Sequence, residues 1–118
     1  MKKILTLNLP NLGTNSSMRT YKKEKMRELI RDLLNRIKPR KNIIKQLILG
    51  NLIETPIKIE IEAYTDSDRT DLDNIIKSVC DCLQGTIIIN DVQIEEIHAK
   101  IFRDCNFKFV VISIFIKI

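Results

Sequence analysis

Ile57-Lys58-Ile59-Glu60-Ile61-Glu62-Ala63-Tyr64 is followed, after an acidic link, by Asp71-Leu72-Asp73-Asn74-Ile75-Ile76-Lys77-Ser78-Val79-Cys80-Asp81-Cys82-Leu83-Gln84. The first segment alternates strictly and predicts a strand with Ile57, Ile59, Ile61 and Ala63 on its buried face and charged residues on its wet face. In the second, Leu72, Ile76, Val79 and Leu83 recur at helical spacing. Thr70 stands three residues before Asp73 in a start signal resembling a capping box, and Gly85 supplies the stop. The spacing predicts a helix over 71–84.

Working outward, Met26, Leu29, Ile30, Leu33, Leu34 and Ile37 mark an amphipathic helix over 21–37, ended by Pro39. A short helix over 42–49 stops at Gly50, although its β-branched content leaves a strand open. Ile4 to Leu9, Thr86 to Ile89, Ile94 to Phe102 and Phe107 to Lys117 read as further strands. The chain is thus α+β, with four to five strands and two main helices.

The 118 residues are enough for one self-sufficient core and too few for two. With four Phe, two Tyr and no Trp, that core must be aliphatic. There is no apolar run of transmembrane length and no secretory signal pattern at the N-terminus, so a soluble cytoplasmic protein is expected, without a membrane partner. Cys80, Cys82 and Cys105 form no C-x-x-C pair and read as small reduced hydrophobes rather than as disulfides or zinc ligands.

Charge is unevenly placed. Arg19 to Lys45 holds eleven Lys/Arg against three acids, so this block carries +8 of a net +5 and the remainder sums to −3. A basic block beside an acidic one suggests a polyanion held by the first and a cation by the second, against the plainer reading of a solvated helix face.

The acidic link and helix start place Asp66, Asp68, Asp71 and Asp73 within eight residues. They repel one another unless a cation or a basic partner offsets them, and helix capping accounts for only one or two. An EF-hand loop counted from Asp66 fails, because Asp71 falls where Gly is needed and Lys77 where Glu is needed. At 100° per residue, Asp73, Asn74, Lys77 and Asp81 share one polar stripe. Lys77 would set an ammonium one turn beyond Asp73, while Asp81, about 12 Å farther along the axis, suits a supporting or capping role. His98 has no ligand-spaced companion and reads as structural. No Gly-rich phosphate loop is present, which argues against a nucleotide cofactor.

Asp71-Leu72-Asp73-Asn74-Ile75-Ile76-Lys77, Asp81-Cys82-Leu83-Gln84-Gly85 and Asn90-Asp91-Val92-Gln93-Ile94, in that order, resemble the D-L-D-N-x-x-K, D-x-L-x-G and D-D-x-Q-[IV] signature of RusA-type Holliday-junction resolvases. The loop from Pro10 to Asn15 and the basic helix agree more loosely. Two departures are Thr70 where the family often has a basic residue, and Asn90 as the first of the Asp-Asp pair. The resemblance implies a single domain over 1–118 with a mixed sheet and helices packed on it. It implies a Mg²⁺-dependent endonuclease, with Mn²⁺ able to substitute, acting on four-way DNA junctions as a homodimer. Asp71, Asp73 and Asp91 would hold the metal, Lys77 would assist, and Asn74 and Asp81 would support them. Asn15, Arg19, Lys22, Lys23, Arg27, Arg31 and Arg69 are the candidate DNA contacts. The all-oxygen donor set agrees with magnesium rather than zinc. A non-enzymatic DNA-binding or regulatory protein and a metal-dependent nuclease for other branched DNA are the rival readings.

Overall fold

Strand β2 (Ile57–Tyr64) carries the alternation that the sequence announces: Ile57, Ile59, Ile61 and Ala63 are buried, and Lys58, Glu60 and Glu62 point to the other face. The computed structural model describes residues 1–10, 20–38, 41–66, 71–106 and 108–117, with the side chains of residues 20–22 outside that set. β2 lies between β4 (Phe109–Ile116), to which it is antiparallel, and β3 (Ile94–Phe102), to which it is parallel. β1 (Lys2–Pro10) pairs antiparallel with the far side of β4, giving the order β1-β4-β2-β3. A parallel neighbour needs a crossover, and α3 (Leu72–Leu83) lies in the one joining β2 to β3. Pro10, which has no N–H to donate, is tolerated because β1 is an edge strand.

Among the described residues, three helices bury one face of this mixed sheet. Ile30 and Leu34 of α1 (Thr20–Arg36), Ile44 and Leu47 of α2 (Asn42–Ile48), and Ile75, Val79 and Leu83 of α3 are buried with Leu5, Leu7, Leu9, Val110, Ile112 and Ile114 of the strands. This is the aliphatic core expected from the composition. α2 is a helix rather than a strand. It ends in paired bonds from Gly50 N–H to Leu47 O and Asn51 N–H to Gln46 O, at 3.0 and 2.8 Å, a closure that the positive φ of Gly50 (90°) permits.

The wet face carries a row of stacked rings, Phe102, Tyr64 and Phe109, with centroids 4.8 and 4.6 Å apart. Tyr64 hydrogen-bonds Glu62 at 3.0 Å, which raises its pKa. No described helix is long and apolar enough to cross a membrane.

One expected strand is absent. Thr86 to Ile89 forms a turn, with only isolated bridges from Ile88 to Ile53 and Gln84. The reason is local: the N–H groups of Thr86, Ile87 and Ile88 all return to Leu83 O, and the Thr86 hydroxyl donates to Cys82 O at 2.7 Å. These residues close α3 instead of extending a ladder. Ile87 and Ile88 are buried because they fill the core. Among the described residues the sheet therefore has four strands.

Candidate active site

Asp71 is the N-cap of α3. Its backbone is extended (φ −99°, ψ 124°) and its Oδ1 accepts the Asp73 N–H at 2.9 Å, satisfying one of the donors that a helix start leaves unpaired. The cap is thus Asp71, and Thr70 lies outside the described residues. Asp73 follows in the first turn, and both carboxylates are exposed. The positive end of the helix dipole favours acids here.

From Asp73 one stripe of α3 runs through Lys77 and Cys80 to Gln84, all within about 60° of one another at 100° per residue. Lys77 is exposed, and among the described residues no ion pair joins it to Asp73. Asn74 is half-buried beside the stripe.

Asp91 comes from a different part of the chain, a single 3-10 turn at Asp91–Gln93, and is exposed. Its backbone N–H donates to Gln84 Oε1 at 3.1 Å, which fastens it to the C-terminal end of the same stripe. Its field is also felt by the Cys80 thiol, whose pKa is pushed up to about 11, first by burial, then by Asp91 and Asp81. Ile89 and Val92, to either side of Asp91, are 55% and 78% exposed.

Asp71 and Asp73 therefore stand at the start of α3, whereas Asp91 is anchored at Gln84, the C-cap at its far end, the eleven residues from Asp73 to Gln84 rising about 16 Å. Among the described residues, no three His, Cys, Asp or Glu side chains form a group that could hold a metal ion. The donor chemistry nevertheless suits a hard divalent cation. All three acids offer carboxylate oxygens, and Mg²⁺ commonly takes only one or two carboxylates and completes its shell with water and substrate phosphate.

A model of the family described as Endodeoxyribonuclease RusA matches residues 8–115, almost the whole chain. The chain belongs to the RusA endodeoxyribonuclease family. A comparison with curated proteins finds no match. Membership makes the protein a hydrolase, a nuclease of the Holliday-junction resolvase kind that binds branched DNA.

Two residues expected to touch DNA, Lys23 and Arg27, have other partners in this RusA-family chain. Lys23 Nζ pairs with Asp81 Oδ2 at 3.1 Å. Arg27 donates from Nε to Gln84 O (3.1 Å), from Nη2 to Asp81 O (2.8 Å) and from Nη1 to Glu24 Oε1 (2.6 Å). The cause is the C-terminus of α3, whose unpaired carbonyls and negative dipole end draw cations from α1. Asp81, placed by sequence on the Asp73 stripe, is correspondingly turned to α1. Arg31 is exposed on α1. Asn15, Arg19 and Arg69, and the side chain of Lys22, lie outside the described residues.

Sequence reasoning missed Gln84 and Gln93. Gln93 Oε1 accepts the N–H groups of Ile89 and Asn90, both at 3.0 Å, and its Nε2 donates to Ile53 O and Thr55 O at 2.7 and 3.1 Å. Asn90 Oδ1 accepts the Val92 N–H at 3.0 Å. The signal was present: Asn90-x-x-Gln93 has the spacing of a capping box, and the turn forms one.

Proposed function

We propose that this RusA nuclease is a Mg²⁺-dependent, structure-selective endonuclease that resolves four-way DNA junctions in recombination and repair, acting as a homodimer in the cytoplasm. One observation carries the reading. Asp91 is tied by its own N–H to Gln84, on the same stripe of α3 that bears Asp73 and Lys77, so acids eighteen or more residues apart in sequence share one helical mount.

Asp71, Asp73 and Asp91 would hold the ion, and Mn²⁺ would serve in its place. When bound, the metal would acidify a water and offset charge developing on the phosphate. Asp71 can contribute without giving up its cap, because Oδ1 alone accepts the Asp73 N–H. Lys77, exposed one turn beyond Asp73, brings an ammonium that neutralises a phosphate oxygen or orients the attacking water. In-line attack on the phosphodiester leaves a 5′-phosphate and a 3′-hydroxyl.

Asn74, half-buried at the edge of the stripe, supports the acids, and Asp81 with Lys23 and Arg27 sets the angle between α1 and α3. Arg31, exposed on α1, contacts phosphate, together with Asn15, Arg19, Lys22 and Arg69. Resolution needs two nicks in opposite strands, and a two-fold dimer supplies two sites.

The test is a cleavage panel of four-way, three-way, flap and linear duplex DNA. Wild type should nick the four-way junction only with Mg²⁺ or Mn²⁺, and Asp73→Asn should leave it intact. Preference for flaps or three-way DNA would transfer the reading to another branched substrate. Equal cutting by wild type and Asp73→Asn would remove Asp73 from the mechanism.

A further inference from the structure

We propose that Gln84 and Gln93 are positioning residues for Asp91: two amide side chains that hold the acid's backbone rigidly against α3 and so set where its carboxylate meets the reacting phosphate. The proposal rests on the assignment of Asp91 to the reaction and adds what fixes its place.

The hydrogen-bond arrangement of the turn is unusually complete. Five successive N–H groups, from Ile89 to Gln93, each have a partner within the protein: Gln93 Oε1 for Ile89 and Asn90, Gln84 Oε1 for Asp91, Asn90 Oδ1 for Val92, and Asn90 O for Gln93 itself at 3.1 Å. Asp91 O in turn accepts the Ile94 N–H. A solvent-exposed loop could satisfy all of these groups with water, so internal partners at every residue define one backbone path.

Gln93 supplies the anchor. An amide has two acceptor sites and two donors, and all four are used, which also settles its orientation: a flipped amide would face two N–H groups with NH₂ and two carbonyls with oxygen. Its Nε2 partners, Ile53 and Thr55, belong to the segment entering β2, itself joined to the turn by the Ile53 N–H to Ile87 O bond of 2.8 Å. The turn is thereby fixed to the sheet. Gln84 fixes it to the helix, and Gln84 is held in place because its own carbonyl accepts Arg27 Nε. Asp91 thus sits between two mounts, and the position of its carboxylate relative to Asp73 and Lys77 follows from both.

The experiment compares Gln84→Ala, Gln84→Glu, Gln93→Ala and Asp91→Asn with wild type. Three quantities are read: junction affinity without metal, single-turnover cleavage with Mg²⁺, and Mn²⁺ binding to the free protein by electron paramagnetic resonance. Both alanine variants should bind the junction as wild type does, cut it about 10- to 100-fold more slowly and bind Mn²⁺ more weakly. Gln84→Glu keeps an oxygen for the Asp91 N–H and should recover much of the Gln84→Ala loss. If Gln93→Ala fails to fold, Gln84→Ala decides, because its side chain makes a single described bond at the surface. Folded Gln84→Ala with wild-type cleavage and Mn²⁺ affinity overturns the proposal, as does a loss of stability alone. An inactive Asp91→Asn beside normally active glutamine variants would refute the positioning and spare the Asp91 assignment. An active Asp91→Asn would refute both.

Discussion

Arg27→Ala separates two roles for a cation of α1 that makes three hydrogen bonds. If Arg27 joins α1 to α3, its removal takes two charged hydrogen bonds from the carbonyls of Asp81 and Gln84, and one exposed contact from Glu24. Hydrogen bonds to charged groups contribute about 1.5–3 kcal/mol each, and an exposed ion pair about 0.5 kcal/mol or less. The Arg27 side chain is 21% exposed, so water can regain part of what the carbonyls lose. A net destabilisation of about 2 kcal/mol follows, equivalent to a fall in Tm of roughly 6–10 °C for a chain of this size. Arg27→Lys should fall in between, since an ammonium keeps the charge but not the fork that spans two carbonyls. Urea denaturation gives the stability, and junction affinity against salt gives the competing quantity. A residue that neutralises one DNA phosphate would lower the slope of log K against log salt by about 0.9 when removed. Stability unchanged within about 0.5 kcal/mol, with a slope reduced by that amount, would refute the structural role and restore Arg27 as a DNA contact.

Three further outcomes are expected. Asp71→Ala should lose about 1 kcal/mol of stability with its cap, whereas Asp71→Asn keeps a capping oxygen and near-normal stability; junction cleavage should fall in both. Thr86→Val, nearly isosteric, removes the buried hydroxyl bonds to Cys82 O and Leu83 O and should cost about 1–3 kcal/mol in urea denaturation without altering the aspartates. Burial pushes the Cys82 thiol up from 9.0 to about 11, with Asp81 also raising it and Arg27 and Lys23 opposing. The folded state therefore disfavours the thiolate, so the stability this thiol contributes is intact below pH 9 and declines as pH rises from 9 towards 11. Thiol alkylation at pH 8 should leave Cys82 unmodified until the chain unfolds; rapid labelling of the native protein would contradict its burial.

What could be read beforehand was what is periodic. The alternation of Ile57 to Ala63 and the three-four spacing from Met26 to Leu34 are local consequences of burying one face, and the structure shows both elements. The sheet order was not readable, because pairing Ile59 with Ile114 on one side and Ile97 on the other depends on long-range register. Thr86 to Ile89 misled for a related reason: an apolar run reports burial and does not say whether its N–H groups serve a ladder or a helix end. At the candidate site, residue order and the family resemblance proposed Asp71, Asp73, Lys77 and Asp91. Charge counting could not show that Lys23 and Arg27 answer the carboxylate of Asp81 and the closing carbonyls of α3. Gln93 was legible in its spacing from Asn90, but its reach to Ile53 and Thr55 depends on the fold.

The most direct measurement is anomalous diffraction from Mn²⁺ in crystals of the protein bound to a four-way junction. A manganese peak at carboxylate-ligand distance, about 2.1 Å, from Asp71, Asp73 and Asp91 is the predicted result. An ion bound away from all three, or bound at the start of α3 with Asp91 turned from it, would contradict the account.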